Sequence, residues 1–249
     1  MLAKGKAIMK QHEAVIQAMK ESGGYATLGQ LYQAAPKIPD CKWETKTPFA
    51  SIRRIVQTHD EFFKVRPGLW ALTSEKEKVS RLFLDEKAPE KVREYSHYFF
   101  QGLVVEIGNL KGFQTFIPSQ DKNKPFAKQT LGEVSTVSKP YEFTYGEVLR
   151  KAQTIDVTWF NARKYPNSFF EIEHSTDIYN SLLKFVEFQD FRISFYIVAD
   201  NQRRAEFENK VSQSAFAPIK PFVKFGDYDA VSELHTKISA SVLAEQAML

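Results

Sequence analysis

The chain's 249 residues, 43% hydrophobic and 26% charged, exclude a disordered polypeptide and suffice for one large domain or two small ones. A single cysteine, Cys41, excludes an intrachain disulfide and a zinc site built on several cysteines. The net charge of +4 is uneven, with 11 Lys/Arg against 6 Asp/Glu in residues 1–72 and 23 against 24 in the remainder. The whole basic excess therefore lies in the first third, which points to a nucleic-acid contact there, against the plainer reading of a solvated surface.

In chain order, Met9, Val15, Ile16 and Met19 recur at helical spacing and predict an amphipathic helix over residues 5–21, stopped by Gly23 and Gly24. This opening segment has no continuous apolar run, so no secretory signal is expected, and no stretch reaches the ~20 apolar residues of a membrane span. A soluble, cytoplasmic protein is expected. Thr27 is placed to cap a short second helix over residues 28–36. Pro36 and Pro39 break the chain. Thr47 is expected to cap a third helix over residues 48–59, with Pro48 at its first position. Residues 61–73 alternate apolar and polar around Arg66-Pro67-Gly68, which predicts two short strands and a tight turn.

Three helices followed by a hairpin is the order of a winged helix, spanning residues 1–72. Its third helix carries Ser51, Arg53 and Arg54 and its wing Lys64 and Arg66, the polar groups that groove and phosphate contacts require. Residues 5–72 resemble the helix-turn-helix modules joined to bacterial restriction and DNA-modifying proteins. Winged helices also dock proteins, and that reading stays open beside DNA contact. Residues 73–95 are dense in charge and read as a solvated helix or linker, which places the domain boundary there.

From residue 96 to 249 the pattern is α/β. A helix over 98–112 around Glu106, a strand at 113–119 and a helix or turn running into a strand across 145–160 come first. A strand at 168–176, a helix capped by Thr176 and a buried strand at 191–200 come next. A helix at 203–213, a last short strand at 221–228 and a closing helix at 229–246 complete it. Strands alternating with helices predict a mixed β-sheet flanked by helices.

Asp156 stands late in an apolar strand, and after a short loop Glu171 and Glu173 occupy the next. Residues two apart in a strand share a face, so Glu171 and Glu173 project together, and pairing of the two strands brings Asp156 beside Glu171. Three carboxylates converging among apolar residues repel one another unless a cation joins them. Hard oxygen ligands of this kind suit Mg²⁺, which keeps several waters and also takes phosphate oxygens. Asp156 and Glu171 are the expected metal ligands, with Glu173 polarising or orienting the attacking water. The plainer alternative makes Glu171 and Glu173 the solvent face of an edge strand.

The segments "IDVTWF" and "FFEIEHST" resemble the signature of the PD-(D/E)xK nuclease superfamily, as in type II restriction endonucleases: an Asp closing one strand, then Glu/Asp-x-Lys on the next. The variant with Glu in place of Lys is the form present here. The resemblance covers about residues 97–225 and implies a mixed sheet flanked by helices, Mg²⁺, double-stranded DNA as substrate and a homodimer. It implies Glu106 as a further metal ligand from the upstream helix. Ile155 stands where the pattern has Pro. The usual Lys is absent; Lys184 on the following helix is a substitute, or a surface lysine.

His174 points away from the carboxylates by the period of the strand and is read as structural or as a hydrogen-bond donor behind the metal ligands. Arg203 and Arg204, just after a buried strand, are candidate phosphate contacts, or the solvated start of the next helix. His12, His59, His97 and His235 are isolated in sequence, without metal-ligand spacing. No GxxxxGK[ST] or GxGxxG motif occurs, so no nucleotide cofactor is expected. The expectation is a Mg²⁺-dependent DNA endonuclease of restriction type. The rival is a DNA-binding regulator or docking protein with an inert nuclease-like domain.

Overall fold

In the computed structural model, which describes residues 9–84, 90–174 and 177–249, the chain divides between two units. One comprises Met1–Lys87 with Ser232–Leu249, the other Ala88–Val231.

In the first unit, Ala14, Val15, Ala18 and Met19 form the buried face of helix α1 (Gln11–Glu21). Residues 5–8 of the expected first helix lie outside the described residues. Strand β1 (Tyr25–Thr27), helices α2 (Leu28–Ala34) and α3 (Phe49–Thr58), and strands β2 (Phe62–Arg66) and β3 (Leu69–Leu72) follow. The strands form an antiparallel sheet in the order β1-β3-β2.

Thr27 caps α2 as expected: its Oγ1 accepts from Gln30 N at 3.1 Å while Gln30 Oε1 accepts from Thr27 N at 3.0 Å, a reciprocal capping box. Thr47 does not cap α3. The Pro48 carbonyl accepts the first helical bond, from Ile52 N, so Pro48 is the N-cap, and it offers no side-chain acceptor. Of the two readings of the charged stretch, a solvated helix or a linker, residues 76–83 form a helix, α4 (Lys76–Phe83), whose charged residues are exposed and whose Val79 and Phe83 are buried.

Sequence order hides one feature of this unit. Its core is completed from the far end of the chain, where Ala240 and Leu243 pack against it and buried His235 meets Thr27 Oγ1 through Nδ1 at 3.0 Å. Thr27→Ala thus removes a cap, worth ~1 kcal/mol, and the buried hydrogen bond to His235 Nδ1, worth about 0.5–1.5 kcal/mol. A loss of about 2 kcal/mol is expected in urea unfolding. Thr27→Ser should retain most of it.

The second unit begins with helix α5 (Glu90–Leu110) and strand β4 (Gln114–Phe116). A two-stranded ribbon, β5 (Pro125–Phe126) and β6 (Gln129–Thr130), and the short helices α6 (Leu131–Val134) and α7 (Gly146–Ala152) follow. Strands β7 (Val157–Phe160) and β8 (Pro166–Glu173), helix α8 (Ile178–Val186), strand β9 (Ser194–Ala199), helix α9 (Arg204–Val211) and strand β10 (Val223–Asp227) complete it. The last helix, α10 (Tyr228–Met248), starts here and supplies the segment that enters the first unit.

The five-stranded sheet has the order β10-β9-β8-β7-β4. It is mixed: β10, β9 and β8 run parallel, while β7 and β4 add antiparallel. This is an α/β fold with a mixed sheet flanked by helices, as the alternation of strands and helices predicts. Phe169, Phe195 and Ile197 pack one face against Leu182 and Phe185 of α8 and Phe207 of α9. On the other face α5 lies close. The Trp159 indole donates to the Val104 carbonyl at 3.1 Å, and a Cβ on Gly108 would stand 2.5 Å from Trp159 Nε1, so only glycine admits the approach.

The strand that carries Glu171 and Glu173 is internal to the sheet, and both residues are buried, at 2% and 3% exposure. The edge-strand alternative is thereby excluded. The expected cap Thr176 lies outside the described residues; Asp177 caps α8 by accepting from Tyr179 N at 2.9 Å.

Candidate active site

The register of β7 and β8 builds the centre. Val157 stands opposite Phe170, and one further step sets Asp156 opposite Glu171. Asp156 immediately precedes β7 and does not sit late in that strand, so its side chain projects from the sheet's end, where Oδ2 accepts from Ile172 N at 2.7 Å. Glu171 and Glu173 share the face covered by α8, as their spacing requires. Ser181 and Lys184, one turn apart on that helix, meet them there. Ser181 Oγ lies 3.1 Å from Glu171 Oε2 and also bonds Glu173 Oε1. With one hydrogen to give, the hydroxyl satisfies one carboxylate at a time. Lys184 Nζ donates to Glu171 Oε2 at 2.7 Å and to the Thr154 carbonyl at 3.3 Å. Glu171 Oε1 is buried with no hydrogen-bond partner among the described residues.

Helix α5 approaches Asp156 from the opposite face. His97 Nε2 is 3.8 Å from Asp156 Oδ2. One turn on, Gln101 donates through Nε2 to the Asp156 carbonyl at 2.8 Å and to Asp121 Oδ2 at 3.1 Å. Asp121, on the turn after β4, is itself buried. Glu106 lies nine residues beyond His97, half a turn round the helix and about two and a half turns along it. Helix phase therefore turns Glu106 away from the side of α5 on which His97 meets Asp156. Among the described residues no group of three or more His, Cys, Asp or Glu is arranged to hold a metal ion.

The electrostatics follow from burial. Desolvation holds the Asp156 carboxyl above its ordinary range, against His97 and the Ile172 N–H, which favour the anion. Burial and the neighbouring Asp156 charge push Glu171 well above its own. Burial alone would lower Lys184, but Glu171 outweighs it, and the amine is held above its usual range as a firm ammonium ion. Two carboxyl groups are thus kept close at a cost that a cation would relieve.

Arg203 is committed within the fold. It donates to the Glu173 carbonyl at 3.0 Å and makes a two-pronged contact with Glu206, at 2.9 and 3.0 Å. Arg204 bonds Asn201 and lies over Phe225. In the first unit, Ser51, Arg53 and Arg54 are exposed on α3 and Lys64 on β2, while Arg66 donates to the Phe83 carbonyl at 3.3 Å. The histidines that look isolated in sequence are not isolated in space. His97 stands by Asp156, His235 by Thr27, and the rings of His12 and His59 stack at 5.0 Å.

Sequence reasoning missed Ser181, Gln101, Asp121 and the position of His97. His97 and Gln101 carry a usable signal, two polar residues four apart on the apolar helix that packs on the sheet. Asp121 carries none, since a turn places it.

A family model described as the type II restriction enzyme NmeDI C-terminal domain matches residues 80–248, more than half of the chain. The chain belongs to this NmeDI C-terminal domain family. The match takes in the sheet, the Asp156–Glu171–Lys184 centre and α10, and leaves most of the first unit outside. No curated protein and no solved structure gives a significant match. Among the described residues no helix is long and apolar enough to cross a membrane.

Proposed function

We propose that the chain is a Mg²⁺-dependent endonuclease that hydrolyses phosphodiester bonds of double-stranded DNA, as a site-specific restriction enzyme of type II. The observation that carries this reading is the buried carboxylate pair with its own lysine: Asp156 opposite Glu171, with Lys184 Nζ at 2.7 Å from Glu171 Oε2. The description of the matching family as that of a type II restriction enzyme supports it.

The donor set fits a divalent cation. Mg²⁺ is commonly bound by one or two carboxylates plus waters and phosphate oxygens, so it does not need three protein ligands. The Asp156 carboxylate and Glu171 Oε1, which has no hydrogen-bond partner among the described residues, are two such donors. The bound cation would polarise the phosphoryl group and lower the pKa of the attacking water. The chain's own groups do the rest. Lys184, held as an ammonium ion, cannot take a proton from water and acts as a donor to a phosphoryl oxygen. It fills the role left open by Glu173 at the usual lysine position. Glu173, tied to Ser181, orients that hydroxyl against Glu171 and polarises or orients the water. His97 and Gln101 fix Asp156 from the other face.

The helix and strand order of the first unit supports a winged helix, with Ser51, Arg53, Arg54 and Lys64 as DNA contacts. Two active sites are needed to cut both strands in one event, which supports a homodimer.

One observation favours the rival reading of a DNA-binding protein with an inert nuclease-like domain: the lack of a three-ligand metal group among the described residues. Digestion of a supercoiled plasmid in Mg²⁺ and in EDTA separates the two. The expected result is cutting in Mg²⁺ alone. DNA retarded in a gel but uncut in both buffers would favour the rival.

A further inference from the structure

We infer that Lys237 of α10 completes a cationic cleft that grips a DNA backbone phosphate beside the exposed face of α3. The inference rests on reading the first unit as a DNA-contacting module and adds to it a site made partly from the far end of the chain.

A cleft of about 260 Å³ opens on this unit, lined by Arg53 and Gln57 of α3, Lys64 and Trp70 of the hairpin, and Thr236 and Lys237 of α10. Three elements each contribute one cation, two of them consecutive in the chain and the third, α10, from its far end. Arg53 is anchored, donating through Nη2 to the Tyr32 hydroxyl at 3.2 Å. A guanidinium has five donors, so this bond leaves it capacity for a phosphate. Lys64 is exposed, and the Lys237 side chain is 75% exposed. Glu233, one turn before Lys237, also lines the cleft with its carboxylate 3.6 Å from Lys237 Nζ. Three cations against one carboxylate leave the cleft positive, matched to the negative charge of a phosphodiester.

The hairpin explains why α10 is needed. A Cβ on Gly68 at the turn would stand 2.9 Å from the Ser232 carbonyl carbon, and φ of +77° at that residue itself favours glycine. The turn is therefore seated against the backbone of α10 and cannot itself enter a groove. Arg66 is turned to the Phe83 carbonyl. Of the two wing cations only Lys64 faces the cleft, and Lys237 stands where the wing would otherwise supply its second. The polar surface continues along α3 through the exposed Ser51, Arg54 and Thr58. A strand of DNA backbone suits that extended track better than a free phosphate ion does.

The test is fluorescence anisotropy of the full chain with a labelled DNA duplex in EDTA, titrated across ~50 to ~200 mM salt. Lys237→Gln should weaken binding several-fold at low salt and reduce the slope of log K against log salt by about 0.9, the value for one lost phosphate contact. Glu233→Gln should tighten binding, the opposite sign. Both side chains are solvent-exposed, and circular dichroism confirms the fold of each variant. Arg54→Gln, outside the cleft, is the reference. A reduced slope for Arg54→Gln with none for Lys237→Gln would overturn the cleft and keep the module. An unchanged slope in both variants, or a wild type that does not bind DNA, would overturn both.

Discussion

Glu171→Gln is expected to slow DNA hydrolysis by about 10³-fold or more and to leave DNA retention in a gel unchanged. A bound cation supplies several kcal/mol of transition-state stabilisation, and each 1.36 kcal/mol is tenfold in rate. The amide keeps the shape of Glu171 and its reach to Ser181 but removes the charge that a cation would bind. The same variant should lose the cation's effect on folding. A ligand at about 100 times its Kd stabilises by about 2.7 kcal/mol, so Mg²⁺ should raise the melting temperature of the wild type and not of Glu171→Gln. Lys184, 33% exposed, reaches water and tolerates the loss of its partner. Retained cleavage would remove Glu171 from the site. pH acts on the same equilibrium. Both carboxyls are held above their ordinary range, so protons compete with the cation at a higher pH than at exposed carboxylates. Cation affinity therefore rises with pH through that raised range.

Lys184→Met separates two roles of the lysine. If Lys184 donates to a phosphoryl oxygen in the transition state, its loss should cost about 10²–10³ in rate, the range for removing one preorganised donor. It also competes with the cation for Glu171, since its ammonium ion sits 2.7 Å from Oε2. The variant should therefore need less Mg²⁺ for half-maximal rate even as the rate falls. Lys184→Arg should recover part of the rate. A lysine that served only to neutralise buried Glu171 would change stability and Mg²⁺ requirement without the loss at saturating Mg²⁺. Because Lys184 is held above its usual range, its deprotonation should leave no limb in the pH–rate profile near neutrality.

Which parts of the site were legible in the sequence follows from how each part is positioned. Period two in β8 put Glu171 and Glu173 on one face, and a short loop to the preceding strand put Asp156 beside Glu171. Both relations are local, and both hold. Glu106 rests on resemblance to a position on a helix, whereas helix phase puts His97 and Gln101 of α5 at Asp156. Lys184 reads from the sequence as either a substitute for the missing lysine or a surface lysine, because nothing in its neighbourhood on the chain states that α8 crosses the carboxylates. Thr47 looked like a cap, yet the helix begins at Phe49, since Pro48 takes the capping position itself. The contribution of α10 to the first unit had no sequence signal at all. Thr27 and His235 are 208 residues apart, and only the tertiary fold brings them together.

The central claim is that Asp156 and Glu171 form a phosphodiesterase centre. It is tested most directly by digesting a viral genome of known sequence, in Mg²⁺, with the wild type and Asp156→Asn side by side. The account predicts discrete fragments from the wild type, whose ends give the target site, and intact DNA from the variant, which still binds DNA. Equal fragments from both proteins would contradict it, as would a wild type that binds the genome in Mg²⁺ and leaves it whole.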